Sequence, residues 1–64
     1  MDEELERAFD EVGRDKVLAL AASYGWHSGD AMPKGIWWRL VEEVKDGRPR
    51  GHIAEFMGTL HPRN

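Results

Sequence analysis

Large apolar residues recur in this chain at intervals of three and four, and no stretch reads as a strand. Leu5, Ala8, Phe9 and Val12 form one such stripe, with Glu3, Glu6, Arg7 and Asp10 turned away from it. The acids that open the segment suit the positive end of a helix dipole, and Gly13 supplies a left-handed stop. A second helix is expected from Arg14–Asp15–Lys16 through Val17, Leu18, Leu20, Ala21 and Tyr24, closed by Gly25. It has no charge after Lys16, which predicts a central helix buried on most sides. Two helices joined at a single glycine form a hairpin or a sharp corner.

The stretch Trp26–His27–Ser28–Gly29–Asp30–Ala31–Met32 has no period, and Pro33 forces Met32 into an extended conformation. A loop ending at a helix start is expected there, with proline at the first helical position. The third helix runs to about Lys45, carrying Ile36, Trp37, Leu40, Val41 and Val44 on one face, and Asp46–Gly47 ends it. Arg48–Pro49 opens a fourth segment in which Ile53, Phe56, Met57 and Leu60 repeat the same spacing before Pro62 forbids continuation. Residues 61–64 are expected to be a frayed tail. The chain thus reads as all-α, a compact bundle of about four short helices forming one domain over residues 1–64.

Size sets the energetic problem. A chain of 64 residues cannot hold two cores, and one of about this length hides only about 60% of the surface it exposes when unfolded. With no cysteine, neither disulfides nor thiolate metal sites compensate, so close helix packing or a partner must supply stability. No apolar run approaches the roughly 20 residues that span a bilayer, and Met1 to Glu6 is acidic where a targeting peptide is basic. A cytoplasmic location is the expectation.

Charge is unevenly spread. Residues 1–12 carry six acids and one base, residues 13–44 balance, and residues 45–64 hold Lys45, Arg48, Arg50 and Arg63 against Asp46 and Glu55. The chain is acidic first and basic last. Such charges serve as solvated helix faces, or they turn one end toward a charged partner.

Three tryptophans are many for this length, and two are adjacent. At 100° per residue Trp37 and Trp38 cannot face the same core. Trp37 lies within the third helix's stripe, whereas Trp38 falls roughly 130° from its centre, near Lys34, Lys45 and Glu42. Trp38 therefore either covers the edge of the core or serves as an exposed aromatic anchor for a partner. Trp26, just after Gly25, is expected to pin the loop as the hydrophobic contact of a helix C-cap.

Other chemistries find less support. The turn containing Gly47 has the length expected in a helix-turn-helix unit, and Lys45 before it with Arg48, Arg50 and His52 after it would be the nucleic-acid-binding residues. Against this stand the net charge of -3, a pI near 5.5 and Glu55 on the reading helix. His27, His52 and His61 are far apart, and His27 with Asp30 has no second pair to complete a metal site. Ser23 and Ser28 lack a nucleophile elbow, and the glycines around Trp26 match no phosphate loop. Neither enzymatic activity, a metal nor a cofactor is expected.

The pattern Val12–Gly13–Arg14–Asp15, a short apolar helix, Gly25–Trp26, a polar loop, and Pro33 leading to Ile36–Trp37 resembles small helical proteins encoded by bacteriophages and prophages. The likeness covers about residues 5–45. Such proteins include inhibitors of host machinery, among them the anti-CRISPR proteins, which act by occupying a nucleic-acid-binding surface of a host complex. The resemblance implies a protein-binding role without catalysis and carries over no functional residue position by position. Charge complementarity adds that an acidic first helix suits a basic groove. The expected partner is a host protein or protein–nucleic acid complex, met by Glu3, Glu6, Asp10, Glu11 and Trp38. A homodimer burying Trp38, Met32 and Met57 against a second copy is the remaining reading.

Overall fold

The computed structural model describes residues 2–48 and Ile53. Three helices account for most of them: α1 over Glu3–Val12, α2 over Arg14–Ser23 and α3 over Lys34–Asp46. Among the described residues there is no strand. The fourth helix expected near residues 48–61 and the tail at 61–64 lie outside the described residues, apart from Ile53, which is helical and fully buried in the core.

Each boundary follows from local chemistry. Asp2 caps α1: its side chain accepts from the backbone N–H of Glu4 at 3.0 Å, and its carbonyl takes the first helical bond from Glu6 at 3.0 Å. Gly13 then does two things at once. Its N–H closes α1 on Phe9 O at 2.8 Å, and its own carbonyl opens α2 by accepting from Lys16 and Val17. It holds φ at +104°, a conformation that a side chain resists, so the corner predicted between the first two helices depends on glycine.

The end of α2 is a Schellman motif. Trp26 N–H reaches back to Ala21 O at 3.0 Å and Gly25 N–H to Ala22 O at 3.0 Å, with Gly25 at positive φ. The motif delivers Trp26 onto Trp37 in an edge-on contact, centroids 5.3 Å apart, as expected of a residue pinning the loop. The loop closes on itself through Trp26 Nε1–H to Asp30 O at 3.2 Å and the His27 N–H to the Asp30 carboxylate at 2.8 Å. Pro33 sits one residue earlier than expected. Its ψ of 145° keeps it extended, and it is the N-cap of α3, its carbonyl accepting from Ile36 and Trp37. Gly47, left-handed at φ +71°, ends α3 where Asp46–Gly47 predicted.

The core is built by all three helices. Leu5 and Phe9 come from α1, Val17 and Ala21 from α2, Trp37, Leu40 and Val41 from α3, and Ile53 joins them. Phe9 also meets Trp37 edge-on, at 5.4 Å, so Trp37 has two aromatic neighbours. Tyr24 Oη–H donates to Glu43 at 2.7 Å and ties the end of α2 to α3.

The expectation for α2 requires correction. Only Val17 and Ala21 are buried on it, while Ala19, Ala22 and Ser23 face solvent. The absence of charge after Lys16 reflects alanine content, not burial. Alanine favours the helix intrinsically and exposes little apolar surface, so an uncharged face can stand in water at small cost.

Candidate functional site

The acids of α1 leave the helix on two flanks, and the structure treats the flanks differently. On one, Arg14 from the start of α2 reaches back to pair with Glu6 and, at 3.5 Å, with Asp10. Its guanidinium also lies over the Phe9 ring, 5.3 Å from the centroid. The hydrogen bond that Arg14 donates to the Glu6 carboxylate raises the Arg14 pKa above its ordinary value and keeps the charge in place. Glu3 is exposed and engages Arg7 at 3.4 Å. These acids are thus matched to cations of the chain itself.

On the other flank stand Glu4 and Glu11, neither of them in an ion pair or hydrogen bond of its side chain with a described residue. Glu11 lines a groove of about 350 Å³ between α1 and α3. Ala8, Val12 and Val41 provide its apolar surfaces, Trp38 stands beside them, and Glu42 and Lys45 complete the lining. Helical spacing explains the convergence. Ala8 and Glu11 are three apart on α1, and Trp38, Val41, Glu42 and Lys45 fall at i, i+3, i+4 and i+7 on α3.

Trp38 therefore sits where its helical angle placed it, at the rim of the core, half-buried and packed against that core. The two surfaces named separately from the sequence, the acidic first helix and Trp38, meet at one groove through Glu11. Glu3, Glu6 and Asp10 stand on the opposite flank, engaged by Arg7 and Arg14. Ala8, Val12, Val41 and Glu42 were not singled out from the sequence. The signal that finds them is the pairing of one edge of α1 with one edge of α3.

A second cavity, also about 350 Å³, lies at the starts of the same two helices, lined by Asp2, Leu5, Met32, Lys34 and Trp37. The Lys34 ammonium bonds the Asp2 carboxylate and, with the Glu4 N–H, holds the Asp2 pKa below its ordinary value, while Asp2 raises that of Lys34. Lys34 is thereby committed to the α1 cap.

The basic residues at the far end of α3 are divided. Lys45 belongs to the groove and Arg48 is exposed beyond the helix end. Arg50 and His52 lie outside the described residues. Lys34 and Lys45 are eleven positions apart, about 16 Å along one helix, so the paired Lys34 does not join Lys45 in a local patch. Among the described residues, no three His, Asp or Glu side chains are placed to hold a metal ion, and no helix is long and apolar enough to cross a membrane. Comparison with protein-family models, with curated proteins and with solved structures gives no match.

Proposed function

We propose that this chain is a non-enzymatic protein-interaction module, a small inhibitor or adaptor of the phage type that occupies a basic, nucleic-acid-binding surface of a host complex. The observation that carries the reading is the convergence of Glu11 and Trp38 on one groove. A half-buried tryptophan beside an exposed carboxylate that makes no ion pair with a described residue offers a partner an aromatic anchor and a charge. The acids on the Arg14 flank add to the negative field of α1, which speeds encounter with a basic partner more than it tightens the complex.

The test is retention of a partner by the tagged full chain from nuclease-treated bacterial lysate. Wild type is expected to hold a defined protein complex after nuclease, and the double substitution Asp10→Lys, Glu11→Lys is expected to lose it. Retention that disappears with nuclease, or that the double substitution leaves intact, contradicts the reading. In the first case binding to nucleic acid through Lys45, Arg48 and Arg50 takes its place.

A further inference from the structure

The chain contains a worked example of cation capture beside its own groove. On one flank of α1, Arg14 lies over the Phe9 ring and pairs with the carboxylates of Glu6 and Asp10. On the other flank an aromatic ring and a carboxylate recur across the α1–α3 groove, from Trp38 and Glu11. Among the described residues the cation lining the groove is Lys45, which makes no ion pair with another of them and no ring contact with Trp38.

We infer that this groove receives an arginine side chain of a partner protein, its guanidinium against Trp38 and Glu11 and its methylene stem along Ala8, Val12 and Val41. The inference rests on the protein-binding reading above and names the chemistry of its occupant. Three arguments support arginine. Tryptophan is the strongest aromatic acceptor of a cation, stronger than the phenylalanine that already serves Arg14. A planar guanidinium can stack on a ring and bond a carboxylate at the same time, which a compact ammonium does poorly. The apolar walls match the long stem that arginine buries while its head stays at the polar edge. A groove of about 350 Å³ is at the lower end of sites for small ligands, which suits one long side chain with its neighbours and not a whole helix. Glu11, next to the Trp38 ring, opposes a phosphate at that end of the groove. Lys45 opposes the incoming cation and thereby directs the guanidinium toward Glu11.

The proposal is tested by nitrogen–proton correlation NMR on the ¹⁵N-labelled full chain, in which the three tryptophan indoles are separate reporters. The probe is the peptide acetyl-Leu-Arg-Leu-amide, compared with the same peptide carrying citrulline, which keeps the shape and removes the charge. The arginine peptide is expected to shift the Trp38 indole and the backbone signals of Ala8 and Glu11 saturably. The Trp26 indole, bonded to Asp30 O, should stay in place. Citrulline should bind about fivefold more weakly, the upper range for one exposed ion pair. Glu11→Gln, at an exposed position that leaves the fold intact, should remove most of that difference, and Lys45→Gln should tighten arginine binding. Equal binding of the two peptides, an unaffected Glu11→Gln variant, or shifts confined to the cavity around Asp2 and Met32 would each overturn the assignment. Its failure is separable from that of the reading beneath it. If partner retention depends on Trp38 while the arginine peptide leaves Trp38 unmoved, the protein-binding reading stands and the arginine does not. If the peptide binds at Trp38 and no partner is retained, the groove chemistry stands and the inhibitor reading falls.

Discussion

Truncating the two adjacent tryptophans should have very different effects. Trp37 is 7% exposed and makes edge-on contacts with both Phe9 and Trp26. Trp37→Ala removes a buried ring and leaves a cavity, which costs about 3–5 kcal/mol. A domain of 64 residues has a total stability of roughly 3–10 kcal/mol at ordinary values per residue, so this variant loses a third of its stability or all of it. Trp38 is half-buried at the rim of the same core. Removing the buried half of its ring forfeits about 1 kcal/mol, with water filling the space, and that should lower the melting temperature by roughly 4–8 °C in a domain of this size. Urea titration followed by circular dichroism at 222 nm reads both values. Trp37→Ala should have by far the lower urea midpoint, or no folded baseline at all, and Trp38→Ala should show a normal cooperative transition only slightly below that of wild type. Equal losses, or a larger loss at Trp38, would refute the assignment of core and rim on which the groove depends.

Other predictions follow from single contacts. Gly13→Ala should destabilise by about 1–2 kcal/mol because the corner needs φ near +104° and the new Cβ would meet Lys16 Cδ at 3.3 Å; Gly35→Ala, in the open first turn of α3, should stabilise by about 0.5–1 kcal/mol, and thermal melts of the pair check the contrast. The single tyrosine should titrate above the usual phenol range, because its hydrogen bond to the Glu43 carboxylate favours the neutral form. This contribution is complete below the unfolded phenol pKa and is lost as pH rises through the raised folded value; Glu43→Gln should bring the absorbance titration at 295 nm back toward the ordinary midpoint. At the acidic end the sign reverses. The depressed Asp2 pKa gives stability that is present above the ordinary carboxylate value and lost as pH falls through the folded one, and melts of Asp2→Asn should show a shallower acid limb than wild type. Phe9→Leu, which keeps the volume approximately and loses the edge contact with Trp37 and the face under Arg14, should cost about 1–2 kcal/mol by urea titration.

Much of the fold was legible because periodicity and punctuation agreed. The stripe of α1, the glycine corner at Gly13, the Gly25–Trp26 closure and the Gly47 stop all depend on interactions within five residues, and local rules describe these well. The second helix was misread because lack of charge has two causes, burial and alanine, and the sequence does not separate them. The site was legible in pieces. A helical wheel set Trp38 off the core stripe, leaving rim and exposed anchor both open, and composition placed an excess of acids on α1. What the sequence did not contain was the pairing of edges. Which flank of α1 faces α3, and that Arg14 folds back onto Glu6 and Asp10 while Glu11 makes no ion pair with a described residue, are consequences of tertiary packing around Trp37. The expected fourth helix, with Arg50 and His52, lies outside the described residues.

The central claim is that the Glu11–Trp38 groove, and not the acidity of α1 as a whole, makes the contact with the partner. Two charge-matched substitutions separate these directly: Glu11→Lys inside the groove and Glu3→Lys on the opposite flank, each compared with wild type for affinity to the retained partner by calorimetry. The groove account predicts that Glu11→Lys weakens binding by about tenfold or more, as a like charge at a contact does, while Glu3→Lys stays within about threefold. Equal losses from the two substitutions would contradict it and return the contact to the acidic helix as a whole.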